Sequence, residues 1–513
     1  LKEISFWSPL SNEQTLYDVS LAGHLSGIQM KGQDKPFSIK PYVKGSYQSD
    51  TTNLDTGSHY DKEMGLDFRY HFLTSMTLDL TYNTDFAETE VDRFQVNLTR
   101  FPLFFPEKRE FFLEGKGFYD FGLSGRVQPY FSRKIGLEGG RPVPILLGGK
   151  LSGKLGPYGI GALVMETNSK DAIPDKGLEL VPEERFGILR VSRNLGLRSN
   201  MGVIGTIREQ KNGPRNETFG VDGTLAPHPY LTTKGFWVHS DDDEQKVSGA
   251  SYFGELEWRD PFWRIKLNHL LVEKSFLPKL GFVRQSDLEE TFGYVDMRPQ
   301  PAGGLVREFG FKTEMTYQEN TSGEFLYQSN YNRVQADFRS GDFILISIDP
   351  QRERLTEEFN IRPGITIPKG TYHYTHTNIY INTDTRRPLS GVFSLLWGGF
   401  YNGNKTSLDL GFTTAPGKGL RIGASWEIDW VNLPQGDFTS QIMDLDIKWS
   451  LTNTVLIQSF IQYDKEAKSV AGNIRFSWEY LPNSHIYFIL NPAHQDKDDT
   501  LLVLVKVTWL WEI

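Results

Sequence analysis

Nine ionisable residues crowd one stretch of this 513-residue chain and its flank. The quartet Glu107, Lys108, Arg109 and Glu110 stands between Arg93 and Arg100 on one side and Glu114, Arg133 and Lys134 on the other, amid Phe101, Phe104, Phe105, Phe111 and Phe112. Carboxylates at this density could cleave a glycosidic bond, but that reaction needs two acids held roughly 5 to 9 Å apart across a sugar, and nothing in the run fixes such a separation. Mixed charge sets a different expectation. Buried charges are costly unless paired, so a set of both signs inside a protein forms a salt-bridged network. Such a network either fastens its segment to the surroundings or narrows a passage and selects what moves through it.

Other chemistry is scarce. The sequence has no G-x-S-x-G elbow, no H-E-x-x-H, no phosphate-loop pattern and no G-x-G-x-x-G. His373 and His376 are the closest histidines, and on a strand they face opposite ways, so they predict no metal site. The acidic runs Asp241-Asp242-Asp243-Glu244 and Asp496, Asp498, Asp499 lack the glycine-punctuated spacing of a calcium loop and read as solvated loops. With no cysteine, thiol catalysis, iron–sulfur clusters and disulfides are excluded. A net charge of −9 and a pI near 5.7 offer no basic stripe for nucleic acid. The residues predict no cofactor, no metal and no enzyme.

The elements that must position the charged segment are legible as period-two runs. Leu420, Ile422, Ala424, Trp426, Ile428 and Trp430 alternate with Arg421, Gly423, Ser425, Glu427 and Asp429, a split that a helix would scramble. The same split recurs at 405–412, 443–449 and 470–480, and at Met76, Leu78, Leu80 and Tyr82 against Ser75, Thr77, Asp79 and Thr81. Turn signals punctuate the runs, among them Ala415-Pro416-Gly417-Lys418-Gly419 and Leu481-Pro482-Asn483-Ser484. Strands of about ten residues, aromatics toward their ends and a terminal amphipathic strand from Leu501 to Ile513 fit a sheet that crosses a bilayer and closes on itself. No run of 18 apolar residues exists to form a spanning helix. The predicted fold is all-β, a large antiparallel transmembrane β-barrel of 22 to 26 strands occupying residues 1–513 as one domain. Alternation also explains how 35 Phe, 22 Tyr and 11 Trp coexist with a mean hydropathy of −0.41, since apolar and charged residues belong to two surfaces. A large soluble all-β protein is the competing reading.

From Asp85 to Gly125 the alternation fails, and two prolines, the charge quartet and the phenylalanines predict a packed element with short helical turns. Irregular backbone at membrane depth survives only inside protein or a watery lumen, so 85–125 is expected as a plug-like segment within the barrel or under its periplasmic mouth.

Four runs, Asn83 to Asp92, Val96 to Gly115 (VNLTRFPLFFPEKREFFLEG), Tyr130 to Gly136 (YFSRKIG) and Leu280-Gly281-Phe282-Val283-Arg284, resemble an uncharacterised family of Gram-negative outer-membrane barrel domains. That domain commonly follows a carbohydrate-binding module similar to family nine. Thr84 stands where the family usually has proline and Lys134 where it has a second arginine; both departures are mild. Leu1 to Asn12 resembles the junction into the barrel, so these residues include no such module, and no sugar binding is assigned to them. The resemblance implies a barrel in the outer membrane of a Gram-negative bacterium, in contact with lipid and lipopolysaccharide and assembled by the barrel-assembly machinery. Expected function is a channel or transporter for an unidentified solute. The alternative is a barrel that anchors or scaffolds an extracellular, periplasmic or secretion-linked partner protein.

Overall fold

The chain is described from a computed structural model for residues 35–50, 57–73, 75–86, 93–138, 141–171, 180–495 and 498–513. The junction-like residues 1–12, part of the family run at 87–92 and Asp496 lie outside the described residues.

Alternating residues form strands because successive side chains point to opposite faces, so each run offers one surface to the interior and one to the outside. The first third contains β1 (Phe37–Asp50), β2 (Ser58–Phe72), β3 (Met76–Thr84), β4 (Ile145–Leu155), β5 (Tyr158–Thr167), β6 (Glu184–Asn194), β7 (Asn200–Gln210) and β8 (Arg215–His228). It continues with β9 (Leu231–Asp242), β10 (Val247–Arg259), β11 (Trp263–Val272), β12 (Leu288–Met297), β13 (Val306–Glu319), β14 (Phe325–Phe338), β15 (Phe343–Leu355) and β16 (Gly370–Asn382). The last third adds β17 (Leu389–Phe400), β18 (Gly403–Gly417), β19 (Leu420–Leu433), β20 (Gly436–Ser450), β21 (Val455–Asp464), β22 (Ser469–Leu481), β23 (Ser484–Gln495) and β24 (Asp498–Thr508). Every neighbour in sequence pairs antiparallel. β24 then pairs with β1 from Tyr42 opposite Thr508 to Asp50 opposite Thr500, and the chain continues past a break as Trp511–Glu512 against Ser38 and Ile39. Closure removes the two edges that an open sheet of this size would expose. The 24 strands fall within the 22 to 26 expected from the turn spacing.

The outer surface is apolar. Val43, Met64, Val164, Leu189 and Trp430 are exposed, as are Val503, Val505 and Val507 of the closing strand. Charged residues alternate with them on the inner face, where Lys150, Arg190, Asp296 and Lys506 are buried. One expectation changes here, because the inner face is not uniformly polar. On β5 the inward Leu163 and Met165 are fully buried while Val164 between them is 62% exposed, so both faces are apolar. Phe186, Ile188, Ile204, Val238 and Leu270 extend this inner apolar wall from β6 to β11.

What covers that wall is the segment between β3 and β4. β3 is short; its last residue Thr84 sits opposite Ile145, the first of β4, and the chain leaves the wall between them for residues 85–144. The insert is therefore longer than the 85–125 expected from lost alternation. Its described residues contain one four-residue helix, α1 (Glu110–Leu113), and two single 3-10 turns. Phe112, Tyr119, Phe121, Val127 and Ile135 of the insert pack into the apolar wall. Glycines on the wall permit the approach: a Cβ on Gly161 would lie 2.7 Å from the Phe118 carbonyl oxygen, and one on Gly220 would lie 2.6 Å from the Phe121 ring.

The two ends of the barrel differ. At the end carrying residues 35 and 513, tight turns such as Gly156 with Pro157 and Pro482 with Asn483 join the strands. At the opposite end lie the insert and the longer connections 168–183, 273–287 and 356–369. No helix among the described residues is long and apolar enough to cross a membrane, which says nothing against crossing with strands.

Candidate functional site

The insert reaches the wall around most of the ring. Arg93 donates from one amino group to both carboxylate oxygens of Asp446 on β20, at 2.9 and 2.8 Å, with its guanidinium 4.7 Å above the Phe460 ring of β21. The amide N–H of Phe94 donates to Gln462 at 2.6 Å, and the Gln462 side chain returns a bond to the Phe94 carbonyl at 3.1 Å. Arg100 approaches Glu353 of β15 at 3.9 Å. On the other side Tyr119 donates towards the carbonyls of Leu151 on β4 and Ala162 on β5, each at 3.0 Å. Arg126 pairs with Glu290 of β12 at 2.8 Å. The segment thus spans the interior from β4 to β20, entered from the end with the long connections.

The nine charges expected to form one network fall into separate groups. Glu107 and Arg109 make a staple within the insert: Arg109 donates to Glu107 through Nε at 2.9 Å and Nη2 at 2.6 Å, and to the carbonyls of Ile135 and Ser132 at 2.7 Å each. The Ser132 hydroxyl adds a bond to Glu107 at 2.6 Å, and the Arg109 guanidinium lies 4.2 Å over the Phe112 ring. Burial alone would raise the Glu107 carboxyl, but Arg109 outweighs it and, with Ser132 and the Arg109 N–H, holds that carboxyl below its ordinary range. Arg93, Arg100 and Glu114 instead reach the wall, Glu114 by pairing with Arg69 of β2. Arg133 lies beside Phe105 and the Pro106 carbonyl, Lys134 faces a cavity at the mouth, and Glu110 is exposed at the start of α1. Lys108 donates its N–H to Glu107. The clustering reflects local sequence only, because a non-helical chain turns neighbouring side chains in different directions.

Sequence reasoning missed the wall's half of the contacts. Lys150 of β4 is 1% exposed; its Nζ donates to the carbonyls of Phe111 at 2.7 Å and Glu114 at 3.2 Å and pairs with Asp79 of β3 at 3.2 Å. Arg69 also holds Asp79, at 2.6 Å. Asp85, where the insert begins, lies 3.0 Å from Lys44 of β1 and 3.4 Å from Lys506 of β24, so its root is tied to the seam where the barrel closes. A lysine at an inward position between glycines and leucines, as in Leu147-Gly148-Gly149-Lys150-Leu151, is the signal that could have found it.

The connection 273–287 also folds inward and joins the insert. Phe282–Val283 pairs with Val127–Gln128, the Phe131 N–H donates to the Leu280 carbonyl at 2.9 Å, and the Arg284 N–H donates to the Arg126 carbonyl at 2.9 Å. Asp242, expected in a solvated acidic loop, is instead buried: Lys279 pairs with it at 2.9 Å and Asn216 donates to it at 3.1 Å, pinning this connection to β9. His376 faces inward and His373 does not, as their spacing predicts, and no metal-holding group of His, Asp or Glu occurs among the described residues.

Residues 36–143, from β1 through the insert, match the model of a family described as a domain of unknown function, DUF5916. No curated protein matches the chain in sequence. Among solved structures the chain is similar to the siderophore receptor PirA from Pseudomonas aeruginosa, at 6% identity and a TM-score of 0.47 over 92% of this chain and 80% of that one. It is similar also to Pseudomonas aeruginosa OpdQ, at 7% identity and a TM-score of 0.32 over 93% and 97%, and to Acinetobacter baumannii OccAB2, at 7% and 0.35 over 93% and 98%. Likeness this distant concerns the path of the strands and says nothing of what this barrel carries.

Proposed function

We propose that this protein is an outer-membrane channel or transporter for a small solute, with residues 85–144 acting as a plug that shapes the passage. The observation that carries the reading is a closed 24-stranded ring whose outer face is apolar while an irregular segment fills part of its interior. An exposed apolar surface of this extent needs lipid to cover it, and a ring this wide encloses a lumen that side chains alone do not fill. Short turns at the end carrying residues 35 and 513 and long connections at the other are the pattern of the periplasmic and extracellular ends of such barrels, so the insert would descend from the outside. Lipid and lipopolysaccharide would surround the ring, and the barrel-assembly machinery would insert it. The residues that fasten the insert are taken up by partners in the wall and within the insert, and the reading assigns them no catalytic role.

Reconstitution of the purified barrel in planar bilayers tests this. Discrete conductance steps are expected, larger and noisier once Arg93, Arg109 and Lys150 are replaced together and the insert is loosened. A barrel that stays silent in both forms sinks the reading.

A further inference from the structure

Two cavities flank the inward connection 273–287. One, of about 750 Å³, opens at the long-connection end beside Lys134, Arg208 and Lys279. The other, of about 530 Å³, lies beside it between the insert and the inner faces of β11 to β18. Arg284 and Gln285 line both. Arg284 therefore stands where a solute passing from one cavity to the other would meet it, and its side chain is exposed to do so.

The inner cavity carries more positive charge than negative. Arg100, Arg126, Arg284 and Lys405 face Glu290 and Glu353. Arg126 is committed to Glu290 at 2.8 Å. Arg100 reaches Glu353 only at 3.9 Å, and its buried Nε has no hydrogen-bond partner. Arg284 and Lys405 have no ion pair among the described residues and lie instead over aromatic rings, 5.2 Å from Phe101 and 5.3 Å from Phe400. His376 adds a buried Nε2 without a partner. Cations resting on ring faces leave their outward N–H groups for an acceptor, and the rings themselves suit an apolar body. On the inner face of β18 to β20, Asp409, Glu427, Asp429 and Asp444 form an acidic stretch between Lys405 on one side and Arg421 and Lys448 on the other, with Asp446 taken up by Arg93, and that stretch would repel an anion back towards Arg284 and Lys405.

We propose that the inner cavity binds a small organic anion, a carboxylate attached to an apolar or aromatic body, and that Arg284 is its selectivity residue at the entrance. This rests on the channel reading for its transport meaning, but the site can be tested without it. Benzoate and benzylammonium, alike in size and opposite in charge, are titrated calorimetrically into the full barrel in detergent and applied as blockers in bilayers. Benzoate is expected to bind at least tenfold tighter than benzylammonium. Arg284→Gln should weaken benzoate about tenfold, the loss of one charge-assisted hydrogen bond, and leave benzylammonium unchanged. Lys405→Gln should act in the same direction, and Lys465→Gln, in an exposed turn, should do nothing. Folding of each variant is checked by the heat-dependent gel shift of an intact barrel. Benzylammonium binding as tightly as benzoate, or benzoate binding indifferent to both Arg284→Gln and Lys405→Gln, overturns the anion site even if the barrel conducts. A silent barrel that still binds benzoate through Arg284 sinks transport and upholds the site.

Discussion

Lys150→Met should release the insert's helix from the wall while leaving the barrel closed. Methionine keeps most of the stem's volume and its contact with the Phe111 ring, but removes the ammonium that lies 4.6 Å over that ring, the bonds to the Phe111 and Glu114 carbonyls at 2.7 and 3.2 Å and the pair with Asp79 at 3.2 Å. The carbonyls lose a charged donor in a site where the lysine is 1% exposed, so each costs about 1 kcal/mol. The ion pair adds about 1 kcal/mol rather than the several expected for a fully orphaned buried charge, because Arg69 still holds Asp79 at 2.6 Å. The total, about 3 kcal/mol, corresponds to a shift of about a hundredfold in the equilibrium between docked and undocked insert. Hydrogen exchange in detergent reads it directly. The amides of Phe112, Leu113, Glu114, Phe118 and Tyr119, which donate within the insert, should exchange about a hundredfold faster, and the ladder between β4 and β5 should not change. Protection of those five amides within threefold of the parent protein would refute the claim that Lys150 carries the docking.

Three further outcomes follow from the same contacts. The Glu107 carboxyl is held below its ordinary 4.5, so its contribution is complete above that pH and is lost as pH falls through the lower folded value; the insert should loosen only in acid, and Glu107→Gln should flatten that dependence, as read by exchange of the Ile135 amide. Arg93→Ala should free the 93–94 end from β20 and β21, raising proteolysis near Phe94 without altering the barrel's thermal transition, and a lowered transition would place Arg93 in the ring's own stability. Val164→Arg, on the outer face of β5, should cost about 2 to 4 kcal/mol or block assembly, measured by denaturant titration in lipid vesicles; a neutral effect would deny that this face meets hydrocarbon.

Much of the ring was legible because a strand's side-chain period is independent of its neighbours. The alternation of Leu420 to Trp430 needs no partner to be read, and in the structure Glu427 and Asp429 face inward as that alternation assigns. The wall from β4 to β11 was harder. Leu163, Val164 and Met165 are all apolar, since one face meets the outside and the other meets the insert, and such a run does not reveal its parity. The return of the chain to the wall at Ile145 was also hidden, because Val127–Gln128 and Leu137–Glu138 form short pairs away from the ring.

Sequence alone determined that this chain makes a large closed antiparallel sheet interrupted once by a segment unable to face lipid, because periodicity and turn chemistry are local properties. Only the tertiary structure decided where that segment goes and what holds it. Lys150 meets Phe111, Arg93 meets Asp446 and Asp85 meets Lys506 across separations of 39, 353 and 421 residues, and no local pattern encodes a contact made by ring closure. The same closure brings Arg284 beside Arg126 and over Phe101, turning a charge at the end of a short motif into the threshold between two cavities.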